Sequence, residues 1–275
     1  MSSDDVAAKL NAVVTQRTEV APGLIILQVA PDGWELPDFT PGQYTVLGLP
    51  GSAPRDPGTD PEEEPAPPNK LIRRAYSVAS SSMAKQYLEF YIALVRSGAL
   101  TPRLFALEVG SRVQVGPKIT GMFTLDKLPD DLNVTLFATG TGVAPYISMM
   151  RTELSRNLKR HFAIVHGARH SWDLGYRAEL ITLERICANF DYLPIIDHPD
   201  EEPIPWAGRT GWCQDVWRDR LIDRMWGFQP TPENTHHFLC GNPLMIQEML
   251  RVLAEDGFQE HTKRVPGQVH LEKFW

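Results

Sequence analysis

The sequence predicts two domains: an antiparallel β-barrel or β-sandwich, followed by a parallel α/β domain. Three observations support this prediction. The chain has 275 residues, which exceeds the usual size of one domain. Its first part contains short β-rich runs between turn-forming residues, whereas from about residue 130 short apolar strands alternate with helical segments. We therefore expect the two domains to join near residue 130.

The first predicted domain depends on short runs of apolar, β-branched and aromatic residues. Four such runs are found at 24–29, 43–47, 87–95 and 112–115. Pro, Gly, Ser or Asp residues bound each of them, as is typical of closely spaced antiparallel strands. The pattern leaves a barrel and a sandwich as alternatives.

Residues 50–68 interrupt this pattern with a sharp change in composition. The segment contains seven of the 23 prolines, and five acids against the single base Arg55. Proline removes backbone donors and like charges repel, so neither helix nor sheet is expected. The composition predicts an exposed, mobile loop that carries over half of the net charge of −7.

The second domain is predicted from alternating strands and helices. The strands are expected at 134–138, 161–166, 192–196 and 237–240, and the helices at 145–158, 173–189, 211–225 and 243–256. Such alternation implies a parallel sheet with helices on both faces.

A glycine-rich turn lies between the first of these strands and its helix. Gly140 and Gly142 allow a tight turn and a close approach of the backbone to a ligand, and Pro145 suits a first helical turn. The positive end of the helix dipole would then face a pyrophosphate. Because proline replaces the third glycine of the usual fingerprint, a purely structural turn remains the alternative.

Two further segments have the chemistry of a cofactor site. In the first, Arg74 offers a planar fork to phosphate, Tyr76 a ring that can stack, and Ser77 a hydroxyl for a ring nitrogen. In the second, 97–102, backbone amides and the Thr101 hydroxyl can bind a pyrophosphate. Each has a structural alternative: a strand-edge arginine, a core tyrosine and a capping threonine.

Composition and charge exclude several other classes of protein. An acidic chain is unsuited to general nucleic-acid binding. Cys187, Cys213 and Cys240 are too few and too far apart for a disulfide framework, a four-thiolate zinc site or a plant-type iron–sulfur cluster, so we expect a cytoplasmic protein. His166 and His170 lack neighbours that would complete a metal site, and no metal is expected.

Membrane insertion is also not expected. The start of the chain lacks the basic and apolar regions of a secretory signal. The charge-free stretch 132–150 approaches bilayer length, but it contains threonines, glycines and a proline. A buried strand, a tight turn and a helix explain this stretch better than a membrane span does.

The order of the motifs resembles the bacterial ferredoxin/flavodoxin–NADP reductases, which are FAD-dependent. The motifs are 74–77 (RAYS), 98–102 (GALTP), 140–145 (GTGVAP), 165–169 (VHGAR) and 239–243 (LCGNP). The resemblance covers almost the whole chain except 50–68. It implies an N-terminal antiparallel Greek-key β-barrel FAD domain at 1–128, and a Rossmann-like parallel-sheet NADP-binding domain at 129–275.

The same resemblance implies roles in an FAD site. Arg74 would bind the FAD pyrophosphate, Tyr76 would pack on the isoalloxazine, and Ser77 would bond near flavin N5. Trp275 would cover the FAD, although packing alone could explain a terminal tryptophan. The remaining residues of the implied set are Ala75, Ala93, Val95, Gly98, Ala99, Leu100 and Thr101.

The implied NADP site lies in the second domain. Thr141 and Gly142 would contact the NADP pyrophosphate, and Cys240 would line the nicotinamide pocket facing Ser77. Arg169 and Arg209 match positions that bind the 2′-phosphate. Between them, where relatives often have another arginine, the segment 195–200 offers only His198 and two acids. An NADP preference weaker than in relatives is therefore expected.

The activity implied is hydride transfer from NADPH to FAD, followed by single-electron transfer to ferredoxin or flavodoxin. Tyr76, Ser77 and Cys240 form the implied catalytic set, and the protein is expected to be a monomer. Two alternatives remain open: the NAD(P)H-dependent reductase component of an oxygenase, and a non-catalytic dinucleotide-binding redox sensor.

Overall fold

The computed structural model describes residues 7–273 of the chain. These divide into two compact units with the boundary between Met122 and Phe123, and each unit has its own six-stranded sheet.

The first unit is built on an antiparallel sheet. Its strands are Ala12–Ala21 (β1), Leu24–Pro31 (β2), Tyr44–Pro50 (β3), Leu71–Ser77 (β4), Leu88–Ala93 (β5) and Arg112–Val115 (β6), in the order β4-β3-β6-β1-β2-β5. Just past β4, the Ala79 N–H donates to the Glu89 carbonyl in β5 at 2.8 Å. β4 and β5 are the two edge strands of this sheet, so the bond between them closes the sheet into the predicted barrel.

Alternation along the strands fills the inside of this barrel. In β2, Ile25, Leu27 and Val29 are buried while the intervening residues are partly exposed. The sequence analysis missed β1, because the second half of this strand is polar and mostly faces solvent. A short helix, Thr101–Phe105 (α1), lies between β5 and β6 and buries Leu104 in the barrel core.

The segment 50–68 differs from its prediction. As expected it forms neither helix nor strand and most of its residues are exposed, but hydrogen bonds attach it to the rest of the first unit. Arg55 and Glu62 pair at 3.2 Å, and Glu62 also binds Arg103, whose side chain is only 3% exposed. The composition predicted repulsion among the acids, but it could not show that Arg103, which is distant in sequence, would join Arg55 in neutralising one of them.

The second unit contains a parallel sheet. Its strands are Asn133–Thr139 (β7), Phe162–Ala168 (β8), Phe190–Ile196 (β9), Arg209–Thr210 (β10), Thr235–Cys240 (β11) and Val269–Glu272 (β12). Its helices are Ala144–Glu153 (α2), Arg177–Ile186 (α3), Cys213–Arg218 (α4), Leu221–Trp226 (α5) and Pro243–Glu255 (α6). The strand order is β10-β9-β8-β7-β11-β12. The chain therefore adds β8, β9 and β10 on one side of β7 and then returns to add β11 and β12 on the other side. Ligands of such sheets bind where the carboxyl ends of the strands meet at this switch point.

Three predicted helices differ from those observed: the helix predicted at 145–158 ends at Glu153, and left-handed residues shorten or divide the other two. The helix predicted at 173–189 begins only at Arg177, after Tyr176 has adopted the left-handed conformation at φ 63°. The helix predicted at 211–225 is divided into α4 and α5 at Arg220, where φ is 53°. Neither residue is glycine, so the sequence contains no signal for these left-handed breaks.

Two classes of feature are absent from residues 7–273. No helix there is long and apolar enough to cross a membrane. The same residues include no group of three or more His, Cys, Asp or Glu side chains arranged to hold a metal ion.

Candidate functional site

The carboxyl ends of β7 and β11 meet at the glycine-rich turn. Residues Gly140–Val143 form a 3₁₀ turn between β7 and α2. A Cβ atom on Gly142 would collide with the carbonyl oxygen of Cys240, and one on Gly241 would collide with Thr139. These two glycines therefore allow the turns after β7 and β11 to touch through their backbones.

Side chains reinforce this contact between the two strands. The Thr139 hydroxyl accepts the Asn242 N–H at 2.7 Å. The buried Tyr146 hydroxyl lies 3.0 Å from the Phe137 carbonyl oxygen and 2.8 Å from that of Phe238. Tyr146 on α2 thus binds both strands immediately below the switch point.

His166 supports the glycine turn from β8. Its Nε2 lies 3.1 Å from the Gly140 carbonyl oxygen and its Nδ1 lies 3.3 Å from the Tyr192 hydroxyl. Burial lowers the pKa of His166 to about 4 despite the bond to Gly140, so the ring is neutral. Because a carbonyl only accepts, the proton is on Nε2 and Nδ1 accepts from Tyr192. No signal in the sequence indicated this supporting role of His166, because the role depends on the pairing of β7, β8 and β9.

Cys240 ends β11 and is fully buried. Burial raises the pKa of the Cys240 thiol well above its usual value, and the nearby Glu272 carboxylate adds to the shift. The thiol is therefore neutral. Glu272 pairs with Cys240 in the parallel register of β11 and β12 and is itself buried. The sequence analysis did not single out Glu272, because only the strand pairing places it beside Cys240.

In the first unit, β4 carries the residues of the implied flavin site. Arg74 and Ala75 are exposed, and the Arg74 Nη1 donates to the Arg73 carbonyl at 2.7 Å. The Tyr76 ring packs edge-on against Phe90 at 6.4 Å between centroids, and burial raises the pKa of its phenol. Ser77 is buried at the end of β4, opposite Tyr44.

The loop 97–101 is tightly folded. A Cβ atom on Gly98 would lie 3.0 Å from the Val95 carbonyl oxygen and 3.2 Å from the Thr101 hydroxyl. The Thr101 hydroxyl accepts from the Val95 N–H at 3.0 Å and donates to the Val95 carbonyl at 3.1 Å. In this arrangement the hydroxyl closes the loop, and its proton is directed to Val95 rather than outward.

Backbone donors of this loop are available for a ligand. Within residues 7–273, no protein acceptor is hydrogen-bonded to the N–H of Ala99 or Leu100. An unpaired N–H is costly where it is shielded from water, and Leu100 is only 2% exposed. Two backbone donors beside the small Gly98 are suited to a phosphate group, and Arg74 is an exposed cation on β4. Ala93 and Val95, which also belong to the implied flavin site, are exposed.

The implied 2′-phosphate residues lie at the carboxyl ends of β8 and β9. Arg169 is exposed, and its Nη2 lies 3.4 Å from His198 Nε2. His198 in turn bonds Asp197 at 2.6 Å. Arg209 is exposed in β10 and pairs in register with Ile195 near the end of β9. Sheet pairing therefore brings Arg169, His198 and Arg209 to one edge, as their order in the sequence suggested.

His170 adds a second histidine next to Arg169. It bonds Asp173 at 3.0 Å and Glu201 at 2.7 Å. Burial lowers the pKa of His170, but the hydrogen bonds to the Glu201 and Asp173 carboxylates outweigh this effect, so the pKa is raised. Trp275, which was expected to cover the FAD, lies outside the described residues.

Fold and site together define a class: a two-domain oxidoreductase in which a β-barrel with a candidate flavin site precedes a dinucleotide-binding α/β unit.

Residues 136–251 match the family model of the oxidoreductase NAD-binding domain. The chain is 30% identical to the flavodoxin/ferredoxin–NADP reductase of Escherichia coli over 238 residues, covering 86% of this chain and 88% of that protein. It is 29% identical to the ferredoxin–NADP reductase of Pseudomonas aeruginosa, with 86% of each covered.

The chain belongs to the flavodoxin/ferredoxin–NADP reductase family. The fold agrees: a ferredoxin NADP+ reductase from Neisseria gonorrhoeae with bound FAD and NADP superposes with a TM-score of 0.77 at 22% identity, covering 96% of this chain and 98% of that chain. The predictions of family, fold class, enzyme class and the cofactors FAD and NADP are confirmed. The roles of individual site residues stay predictions.

Proposed function

We propose that the chain transfers hydride between NADP(H) and FAD, and single electrons between FAD and ferredoxin or flavodoxin. The observation that carries this proposal is the backbone contact of Gly142 with Cys240, because it joins two motifs 98 residues apart into one nucleotide-binding crevice. Family membership favours an enzyme over the non-catalytic redox sensor.

The barrel holds and orients the flavin. FAD supplies the chemistry, since its ring accepts a hydride and releases electrons singly. Arg74 forms a charge-assisted contact with the pyrophosphate, and the Ala99 and Leu100 amides add neutral donors. Tyr76 packs on the ring, where its protonated phenol stays uncharged. The Ser77 hydroxyl bonds near N5.

The α/β unit holds the nicotinamide nucleotide. Thr141 and Gly142 contact its pyrophosphate at the start of α2, where the helix dipole favours negative charge. Arg169 and Arg209 bind the 2′-phosphate, which NAD lacks. Cys240 lines the nicotinamide pocket as a neutral thiol and therefore does not compete as a nucleophile.

An anaerobic titration tests the proposed function. NADPH and, separately, NADH are added to the purified protein while the absorbance of oxidised flavin is followed. Bleaching at much lower NADPH than NADH concentrations is expected. Equal bleaching by both nucleotides would contradict selectivity for the 2′-phosphate. A colourless protein that fails to bind added FAD would contradict the proposed flavin site.

A second candidate is the reductase component of an oxygenase. A likeness to the Amycolatopsis cytochrome P450 reductase GcoB favours it, with a TM-score of 0.73 at 25% identity. The chain covers 69% of GcoB, so that protein has additional residues. Rapid NADPH-dependent reduction of added ferredoxin or flavodoxin would favour the first candidate, and failure to reduce either would favour the second.

Location and oligomeric state complete the proposal. Cys187, Cys213 and Cys240 are all free thiols, which fits the reducing cytoplasm. The protein acts as a monomer, and sedimentation analysis of the FAD-loaded chain provides the test. A concentration-dependent dimer would contradict the proposal.

A further inference from the structure

The segment 50–68, called the acidic segment below, contacts the loop 97–101 through its own backbone and side chains. The Asp60 N–H donates to the Arg96 carbonyl at 3.2 Å. The Arg55 Nη1 donates to the Gly98 carbonyl at 2.9 Å, while its Nη2 donates to Asp60 at 2.7 Å. The acidic segment therefore holds one carbonyl just before this loop and one within it.

Glu62 connects the acidic segment to the other side of the loop. Its two carboxylate oxygens accept from Arg103 at 2.7 and 3.0 Å, and it also pairs with Arg55 at 3.2 Å. Arg103 donates in turn to the Ala99 carbonyl at 2.6 Å and to the Gly51 carbonyl at 2.7 Å. The hydrogen bond from Arg103 lowers the pKa of Glu62, which is therefore ionised at neutral pH.

These contacts fix the orientation of two peptide planes. In a planar trans peptide, the carbonyl and the following N–H point in opposite directions. When Arg55 holds the Gly98 carbonyl, the Ala99 N–H points away from the acidic segment. When Arg103 holds the Ala99 carbonyl, the Leu100 N–H likewise points away from Arg103 and from the Glu62 carboxylate that binds it. These are the two N–H groups that have no protein acceptor within residues 7–273.

We propose that Glu62 is a positioning residue for FAD, which acts through Arg55 and Arg103 to aim the Ala99 and Leu100 amides at the pyrophosphate. The acidic segment is thus part of the cofactor site, although Glu62 itself need not touch the ligand. This inference rests on the proposed role of the loop 97–101 in FAD binding.

The test compares Glu62→Gln with Glu63→Gln. Both substitutions remove one negative charge from the acidic segment, but Glu63 is exposed, and among the residues that the structure describes its side chain makes no hydrogen bond or ion pair. FAD is removed from each protein, and the dissociation constant is measured by titrating FAD and following flavin fluorescence. Glu62→Gln is expected to raise the dissociation constant at least tenfold, and Glu63→Gln to leave it within twofold of the original chain.

A second measurement separates positioning from general stability. The melting temperature of each protein is recorded without FAD and at one fixed, high FAD concentration, because the stabilisation by a ligand grows with the logarithm of the ratio of its concentration to its dissociation constant. The rise caused by FAD is expected to shrink in Glu62→Gln. A purely structural role would lower both melting temperatures equally and leave the rise unchanged, which would overturn the proposal.

A second variant keeps the test decisive if Glu62→Gln fails to fold. Arg55→Gln removes the contact with the Gly98 carbonyl but leaves the Glu62–Arg103 pair, and a weaker loss of FAD affinity is expected. An unchanged dissociation constant in a folded variant would overturn the positioning role alone. If the original chain bound no FAD, the proposed function would fail first, so the two failures are distinguishable.

Discussion

At the scale of single residues, the candidate site depends on groups that are held neutral or paired by their surroundings. His166 is neutral because burial lowers its pKa to about 4, and only the neutral ring can donate to Gly140 while accepting from Tyr192. Burial also keeps the Cys240 thiol neutral, because it raises the pKa of that thiol. By contrast, Arg74 and Arg169 are exposed and keep their charges for phosphate groups.

Arg74→Ala is expected to weaken FAD binding. A charge-assisted hydrogen bond contributes about 1.5–3 kcal/mol, which corresponds to roughly tenfold or more in the dissociation constant. Arg73→Ala is the matched control, because Arg73 is exposed on the same strand but bonds Gln114. Flavin content after gel filtration is the measurement, and full retention by Arg74→Ala would refute the assignment.

Arg169→Ala is expected to raise KM for NADPH by about tenfold and to leave KM for NADH nearly unchanged. The physical reason is that only NADPH carries the 2′-phosphate. Steady-state kinetics with both nucleotides measure the effect, and Arg185→Ala on the exposed side of α3 serves as a control for loss of charge. Equal increases for both nucleotides would mean that Arg169 does not contact the phosphate.

At the scale of secondary-structure elements, backbone contacts decide how the turns meet. α2 is fixed to β7 and β11 by one hydroxyl, that of Tyr146. The β3–β4 connection is fixed to α1 and the loop before it by the Glu62–Arg103 pair. In both cases a buried polar group joins elements that are distant in the sequence.

Tyr146→Phe is expected to destabilise the protein by about 1–3 kcal/mol. The substitution keeps the ring but removes the single buried proton that the Phe137 and Phe238 carbonyl oxygens share. Tyr87→Phe, at a partly exposed tyrosine of the first unit, controls for loss of a hydroxyl. Urea unfolding followed by circular dichroism measures the difference; equal midpoints for the two variants would argue against the double contact.

Removal of residues 51–67 is expected to lower stability and FAD retention, contrary to what the composition suggested. Pro50 pairs with Leu71, so joining Pro50 to Pro68 leaves a short hairpin connection. The deletion leaves Arg103 without its carboxylate, and losing one partner of a buried pair costs about 3–5 kcal/mol. A drop of several degrees in melting temperature is expected, whereas a Glu63→Gln/Glu64→Gln variant should retain the original value.

At the scale of the whole molecule, two units with separate sheets and cores share one chain. Histidines are concentrated in the second unit, where His166 and His237 are fully buried and burial lowers the pKa of both rings. Burial lowers the pKa of His236 to about 4 and that of His270 to about 3, with smaller contributions from neighbouring histidines. Burial also lowers the pKa of His237 well below its usual value.

These histidines predict how stability depends on pH. Unfolding restores their ordinary pKa near 6.5, so the unfolded chain binds more protons between pH 6.5 and about 4. Stability is therefore complete above pH 6.5 and is lost as pH falls, with each extra bound proton contributing about 1.4 kcal/mol per pH unit. Urea midpoints at pH 7.5, 6.5 and 5.5 measure this slope.

A variant with His236→Gln and His270→Gln provides the control for the pH dependence. The two rings lie 3.0 Å apart between Nδ1 and Nε2 and are both within the second unit. Their replacement is expected to flatten the slope between pH 6.5 and 5.5. An unchanged slope would assign the effect to other groups, such as the carboxylates whose pKa values are lowered.

By itself the sequence determined the order of the two units, most of the strands and the positions of the five motifs. Local physics is sufficient there: alternation predicts a half-buried strand, glycine permits a tight turn, and strand–helix alternation predicts a parallel sheet. The same information placed Gly142, Cys240 and Arg169 at strand ends, where the structure has them.

Only the tertiary structure decided which distant groups pair. It placed Glu272 beside Cys240, His166 under Gly140, and Glu62 between two arginines. It also showed hydrogen bonds from the segment 50–68 to the rest of the first unit, which the composition did not predict. The physical reason is that the free energy of a buried charge depends on its partners, and those partners are chosen by the fold rather than by neighbouring residues in the chain.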